Sequence, residues 1–144
     1  MSYPFRAALL DTSVAVKWFV IEEDSDRAKS LRRAHLWDEI RLYIPDLLLM
    51  ELANALRYTG RLSEERILDD LSTFSVLDIS IVPFNIDVLK TSVALSLERD
   101  LAVYDAYFLT MAQNLTIPFI TADRKMLSRL TPEHGAVNLK DLQP

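Results

Sequence analysis

Short apolar runs alternate along the chain with longer segments whose apolar residues recur at helical spacing. AALL, closed by Asp11, reads as a short buried strand, and TSVAVKWFV after it as a brief helix. From Ser25 to about Ile40, Ala28, Leu31, Ala34 and Trp37 share one helical face while Arg27, Lys29, Arg32 and Arg33 point elsewhere, which predicts an amphipathic surface helix. LYIP follows as a strand. A nearly all-apolar helix then runs from about Asp46 to Tyr58 and is stopped by Gly60.

Ser63 is placed to cap the next helix, with Glu64 and Glu65 in its first turn and Ile67, Leu68, Leu71 and Phe74 facing inward. ISIVPF reads as a third strand. Asn85 caps a helix with inner face Ile86, Leu89, Val93 and Leu97, and a further helix spans about Tyr104 to Asn114. Strand PFIT ends at Thr121, a short helix covers Arg124 to Leu130, and a last strand lies around Ala136 to Leu139. Continuous apolar strand runs separated by helices predict an α/β fold, a three-layer α/β/α sandwich around a mainly parallel sheet. No repeat, low-complexity stretch or composition shift divides the 144 residues, so one domain is expected over 1–144.

Composition then narrows the chemistry. There is no cysteine, which excludes disulfides and thiolate zinc sites and fits a cytoplasmic location. The apolar run Ala7 to Leu10 is too short for a signal-peptide core or a membrane span, and no other stretch is long enough, so a soluble protein is expected. Two glycines, Gly60 and Gly135, cannot build a phosphate-cradling loop, and two histidines, His35 and His134, give little support to a Ser-His-Asp hydrolase. A formal charge of −5 argues against a generic polyanion-binding module, although acids can reach phosphate through bound divalent cations.

Four acids stand out. Glu51 interrupts the apolar LLLMELANAL; a helix apolar nearly all round is buried, so this carboxylate needs a partner, a proton or a metal. An ion pair with Arg57, or exposure at a helix edge, would explain it as readily as a functional role. Asp105, Asp123 and Asp11 each have an ordinary reading as the cap of a following helix, and Asp11 equally as the start of an Asx-turn. As a set they are less ordinary. Asp11 and Asp123 fall at carboxyl ends of predicted strands, where open α/β sheets bind ligands, and Glu51 and Asp105 lie on helices that must pack on that sheet. Carboxylates about 4 Å apart repel by about 1 to 4 kcal/mol per pair, so a cation is required. Oxygen ligands without His or Cys select Mg²⁺ or Mn²⁺, one or two ions.

The strings LLDTSVAVKWF, PDLLLMELANALR, VYDAYFLTMA and ITADRKML resemble, in order and spacing, the four motifs of PIN-domain proteins, especially VapC-type toxins. The similarity spans nearly the whole chain. It implies a single PIN-like nuclease domain, a divalent-metal-dependent ribonuclease of the toxin–antitoxin type, with an antitoxin partner that covers the site and a homodimeric assembly. Asp11, Glu51, Asp105 and Asp123 match the family's acidic positions, Thr12 or Ser13 and Thr121 its flanking hydroxyls, and Asn54 its Asn one turn after the Glu. Where some relatives carry a further acid, Lys125 stands here, which leaves the number of ions open.

On this reading Asp11, Asp105 and Asp123 bind metal, Glu51 binds metal or holds a water, and Thr12, Ser13, Asn54 and Thr121 support them. Lys17, Arg124, Lys125 and Arg129 are candidates for contact with RNA phosphates, with solvated surface charge as the plainer alternative. Trp18, Phe19 and Trp37 are candidates for partner surfaces or for core. Two other functions remain: a catalytically degenerate PIN-like scaffold, and an aspartate-based phosphatase, against which Ser13 stands where a second acid would be needed.

Overall fold

The computed structural model describes residues 3–59 and 61–144. Strands β1 (Ala7–Leu10), β2 (Arg41–Pro45), β3 (Ser80–Val82), β4 (Phe119–Thr121) and β5 (Ala136–Asn138) form one sheet in the order β3-β2-β1-β4-β5, each neighbouring pair parallel. The helices are α1 (Thr12–Ala15), continued by a 3-10 turn over Val16–Trp18, α2 (Ser25–Leu36), α3 (Leu47–Thr59), α4 (Glu64–Leu77), α5 (Ile86–Arg99), α6 (Val103–Leu115) and α7 (Arg124–Leu127). This is the expected α/β architecture with a parallel sheet. The predicted helix stop at Gly60 lies outside the described residues. Among the described residues no helix is long and apolar enough to cross a membrane.

Chain order reverses beside β1: β2 and β3 are added on one side, then β4 and β5 on the other. Such a reversal opens a crevice at the carboxyl ends of the two strands that flank it. Those strands are β1 and β4. Leu10 pairs with Ile120, and the amide of Asp11 donates to the Ile120 carbonyl at 2.9 Å, which sets Asp11 beside Thr121.

The centre of the sheet is dry. Leu9, Leu10, Leu42, Ile44, Phe119 and Ile120 are fully buried, which explains why these strands read as continuous apolar runs. Leu48, Leu52 and Leu56 form the inner stripe of α3 at a four-residue spacing. The expectation that α3 is buried all round is wrong: Met50 is 73% exposed and Tyr58 is also exposed. The helix buried on most sides is α6, where every residue from Ala106 to Ala112 is buried.

Three inward faces are corrected as well. On α5, Ile86, Val93 and Leu97 are exposed, Leu97 by 80%, whereas Val88 and Ser92 are buried. The Ser92 hydroxyl donates to the Val88 carbonyl at 2.7 Å, so its polar group is satisfied within the helix and the small residue can face the interior. Trp37 is 69% exposed because α2 ends at Leu36 and the chain turns off the helical path. Leu68 of α4 is also exposed; Phe74 carries that face, packed on Trp18, whose indole N–H donates to the Ala28 carbonyl. Of the three aromatics, Trp18 is core, Phe19 is half-buried and Trp37 faces solvent.

His35 holds three elements together. Its Nδ1 accepts the Leu42 amide at 3.1 Å, which fixes the proton on Nε2, and Nε2 donates to the Leu77 carbonyl at 2.8 Å. His35→Leu strands a buried donor and a buried acceptor, and is expected to cost about 2 kcal/mol in urea unfolding. An unchanged midpoint would show that water replaces both bonds.

Candidate active site

Thr121 ends β4 and its hydroxyl, fully buried, donates to Asp11 Oδ2 at 2.7 Å. The Ser13 hydroxyl donates to the same oxygen at 2.7 Å. Ser13 Oγ also accepts the Ala122 amide at 2.9 Å, and Thr121 Oγ1 accepts the Asp123 amide at 3.1 Å, so the loop after β4 is stitched to the start of α1. Asp11 occupies the cap position of α1 by its backbone, but its side chain makes no capping bond. The capping explanation of this residue therefore fails. Thr121→Val leaves the Asp123 amide without its partner and Asp11 held by one hydroxyl. The expected effect is a loss of about 1 to 3 kcal/mol in stability, read from urea unfolding. A midpoint that does not move would show that water replaces both bonds.

Capping also fails for Asp105. Ala102 is the cap of α6 and Asp105 is the third helical residue, where the helix dipole favours an anion. It does hold for Asp123, whose Oδ1 accepts the Met126 amide at 3.0 Å. Glu51 on α3 accepts the Thr12 hydroxyl at 2.6 Å. It forms no salt bridge with Arg57, whose guanidinium lies 4.3 Å from the centre of the Tyr58 ring. Asn54, three residues after Glu51, is exposed and makes no hydrogen bond to it; Thr12 is the group that orients this carboxylate.

The charges of the four acids act on one another. Asp105 is pushed up to about 6, first by burial and then by the charges of Asp11, Asp123 and Glu51. Burial raises Asp11, opposed by the hydroxyls of Ser13 and Thr121, and burial raises Glu51, opposed by Thr12. Among the described residues no Lys, Arg or His pairs with any of the four. An acidic cluster lacking its own counter-cation is suited to an external one.

The donor set fits a hard divalent ion, being carboxylate and hydroxyl oxygen without imidazole or thiolate. Among the described residues no three such groups stand close enough as placed to form a complete cage. Mg²⁺ does not need one, since it keeps several waters and takes one or two carboxylates. The Asp105 carboxylate makes no hydrogen bond, and Asp123 and Glu51 each use one oxygen, so ligand positions remain open.

The cations proposed for phosphate contact are mostly engaged. Lys17 is buried and pairs with Glu22 at 3.5 Å, Arg124 pairs with Glu23 at 2.8 Å, and Arg129 reaches the carbonyl and the carboxylate of Asp100. Lys125 is exposed. Glu22 and Glu23 were not singled out from sequence. Adjacent acids in a loop carry no signal of a partner 101 residues away.

Several solved structures share this fold. A toxin–antitoxin complex from Klebsiella pneumoniae matches at 26% identity over 92% of this chain and 97% of that one, with TM-score 0.64. A Pyrobaculum aerophilum protein matches at 20% identity over 93% and 90%, with TM-score 0.67. Mycobacterium tuberculosis VapC20, described as a sarcin–ricin loop cleaving toxin, matches at 13% identity over 84% and 93%, with TM-score 0.65. A comparison with curated protein sequences gives no match. The sequence model of the PIN domain matches residues 8–131, from β1 through α7 and therefore all four acids, and the chain belongs to the PIN-domain family.

Proposed function

We propose that the protein is a divalent-metal-dependent endoribonuclease and the toxin of a toxin–antitoxin pair. The observation that carries the reading is the gathering of Asp11, Glu51, Asp105 and Asp123 at the sheet's switch point, near enough that the charges of the other three add to burial in raising Asp105, with no Lys, Arg or His among the described residues paired to any of them. Asp11, Asp105 and Asp123 would supply the one or two carboxylates that hold Mg²⁺ or Mn²⁺, with waters completing its shell. The ion, when bound, would supply Lewis acidity toward the scissile phosphate and an acidified water. Ser13 and Thr121 fix the Asp11 carboxylate in one orientation, and Thr12 turns Glu51 so that its second oxygen can accept a proton from an attacking water. Asp105, pushed up to about 6, would act as an ionised ligand once a bound cation offset the neighbouring charges.

An antitoxin partner and a nucleic-acid loop as substrate are supported by likeness to proteins described as a toxin–antitoxin complex and as a sarcin–ricin loop cleaving toxin; a homodimer is part of the same proposal and rests on the family resemblance alone. Apolar surface is available for partners on α5, at Ile86, Val93 and Leu97, and in a groove of about 350 Å³ between α3 and α4 lined by Leu49, Met50, Leu71 and Phe74. The test is incubation with total cellular RNA in the presence of Mg²⁺ or Mn²⁺. Discrete fragments that vanish with chelator are expected, and cleavage that persists in chelator would overturn the metal assignment.

A further inference from the structure

The turn between the 3-10 helix and α2 carries two adjacent acids, and each holds a cation. Glu22 pairs with Lys17 at 3.5 Å, and Glu23 reaches across to Arg124 at 2.8 Å. Arg124 directly follows Asp123, so the turn lies at the rim of the acidic cluster. The turn is built, not loose. Ser25 Oγ accepts the Glu22 amide at 2.9 Å and donates to the Val20 carbonyl at 3.2 Å, and the Ser25 amide donates to the Glu22 carbonyl. Asp24 closes it in the left-handed region at φ 65°, and Arg66 of α4 pins its start by donating to the Phe19 carbonyl at 2.8 Å.

We propose that this acidic turn, residues 21–24, is an internal phosphate mimic: Glu23 occupies the exposed Arg124 while Glu22 ties the turn to the buried Lys17, and an RNA backbone must displace Glu23 to use Arg124. The inference rests on the ribonuclease reading of the site. A carboxylate fixed on an exposed guanidinium beside a phosphodiester site presents the charge that a phosphate would present there. The Arg124–Glu23 pair is exposed on both sides, so it opens at modest cost, and it contributes to affinity by competition. The device lowers affinity for RNA in general. Each cation that starts out paired also releases less counterion on binding, which flattens the salt response.

The experiment compares RNA affinity on the Asp11→Asn background, which removes cleavage. A labelled single-stranded RNA is titrated across a salt series against that protein and against its Glu22→Gln, Glu23→Gln derivative. The derivative is expected to bind roughly fivefold tighter or more, about the upper end of one exposed ion pair, with a log–log salt slope steeper by about 0.7 per freed cation. Adding Arg124→Gln should remove most of that gain. A derivative with the same charge change at the exposed acids Glu133 and Asp141 should show little gain. An unchanged affinity and slope, an equal gain in the Glu133, Asp141 control, or a gain that survives Arg124→Gln would each overturn the proposal. Cleavage by the wild-type protein is measured in parallel. Its absence, together with no RNA binding by any variant, sinks the ribonuclease reading and this inference with it, whereas normal cleavage with unmoved affinities sinks the inference alone.

Discussion

Asp11→Asn is expected to abolish metal-dependent RNA cleavage, by on the order of 10³-fold or more, in a protein that folds normally. The amide has the shape of the carboxylate, and its oxygen can still accept the Ser13 and Thr121 hydroxyls that reach Oδ2. What disappears is the negative charge that would face a bound ion. Deleting a single electrostatic contact to a reacting centre typically costs about 10² to 10³ in rate, and the loss of a charged ligand exceeds that. Stability should not fall, because burial already disfavours the charged form of Asp11 and the variant relieves that strain. The measurement is cleavage rate at fixed Mg²⁺ beside a thermal melt of the same sample. Undiminished cleavage would refute the site, and a collapsed melt would make the rate uninformative, in which case Glu51→Gln, on a half-buried helix position, serves as the second test.

The strand sequence made the position of this site readable before its geometry. Apolar runs ending in Asp11 and in Thr121 to Asp123 can only be strands feeding a shared carboxyl edge once the sheet is parallel. The order β3-β2-β1-β4-β5 adds that these two ends flank the point of reversal. Pairings between distant segments were not readable. The bond from Thr12 to Glu51 joins residues 39 apart, and the bond from Thr121 to Asp11 joins residues 110 apart. Local spacing predicts helix caps for Asp11 and Asp105; in the fold Asp11 instead accepts the nearby Ser13 hydroxyl and the distant Thr121 hydroxyl, and Asp105 makes no hydrogen bond.

Hydrophobicity misled where a small polar residue could satisfy itself. On α5 the apolar stripe from Ile86 to Leu97 gave way to Val88 and Ser92, since the Ser92 hydroxyl bonds its own helix and loses nothing by burial. On α3 the nearly all-apolar sequence predicts burial all round, but only the Leu48, Leu52 and Leu56 stripe is fully buried, with Leu49 and Ala55 packed against the core from the flanks. Glu51 is therefore half-buried at the edge of that stripe. That position lets one oxygen bond Thr12 while the other is free to meet a ligand.

Without divalent metal at pH 7.5, Asp105→Asn is expected to be more stable than the wild-type protein by about 1 to 2 kcal/mol. In the folded wild type the Asp105 carboxyl is pushed up to about 6 from 3.8, first by burial and then by three neighbouring negative charges. The folded state therefore holds this proton more tightly than the unfolded chain does. Between about pH 4 and 6 stability from this group falls as pH rises, and above 6 the full penalty remains. A shift of about two units corresponds to about 3 kcal/mol, which solvent screening at a half-buried group reduces to the figure given. Below about pH 4 both states are protonated and the two proteins should converge. Cation is expected to reverse the order at neutral pH: Mn²⁺ at about a hundredfold over its dissociation constant should add about 2.7 kcal/mol to the wild type, and far less to a variant lacking one ligand. Urea melts of both proteins at pH 4, 5.5 and 7.5, with and without Mn²⁺, measure all of these differences. A wild type already the more stable without metal would show that the four acids do not share their charge, and one that gains nothing from Mn²⁺ would favour a scaffold that has lost its ion.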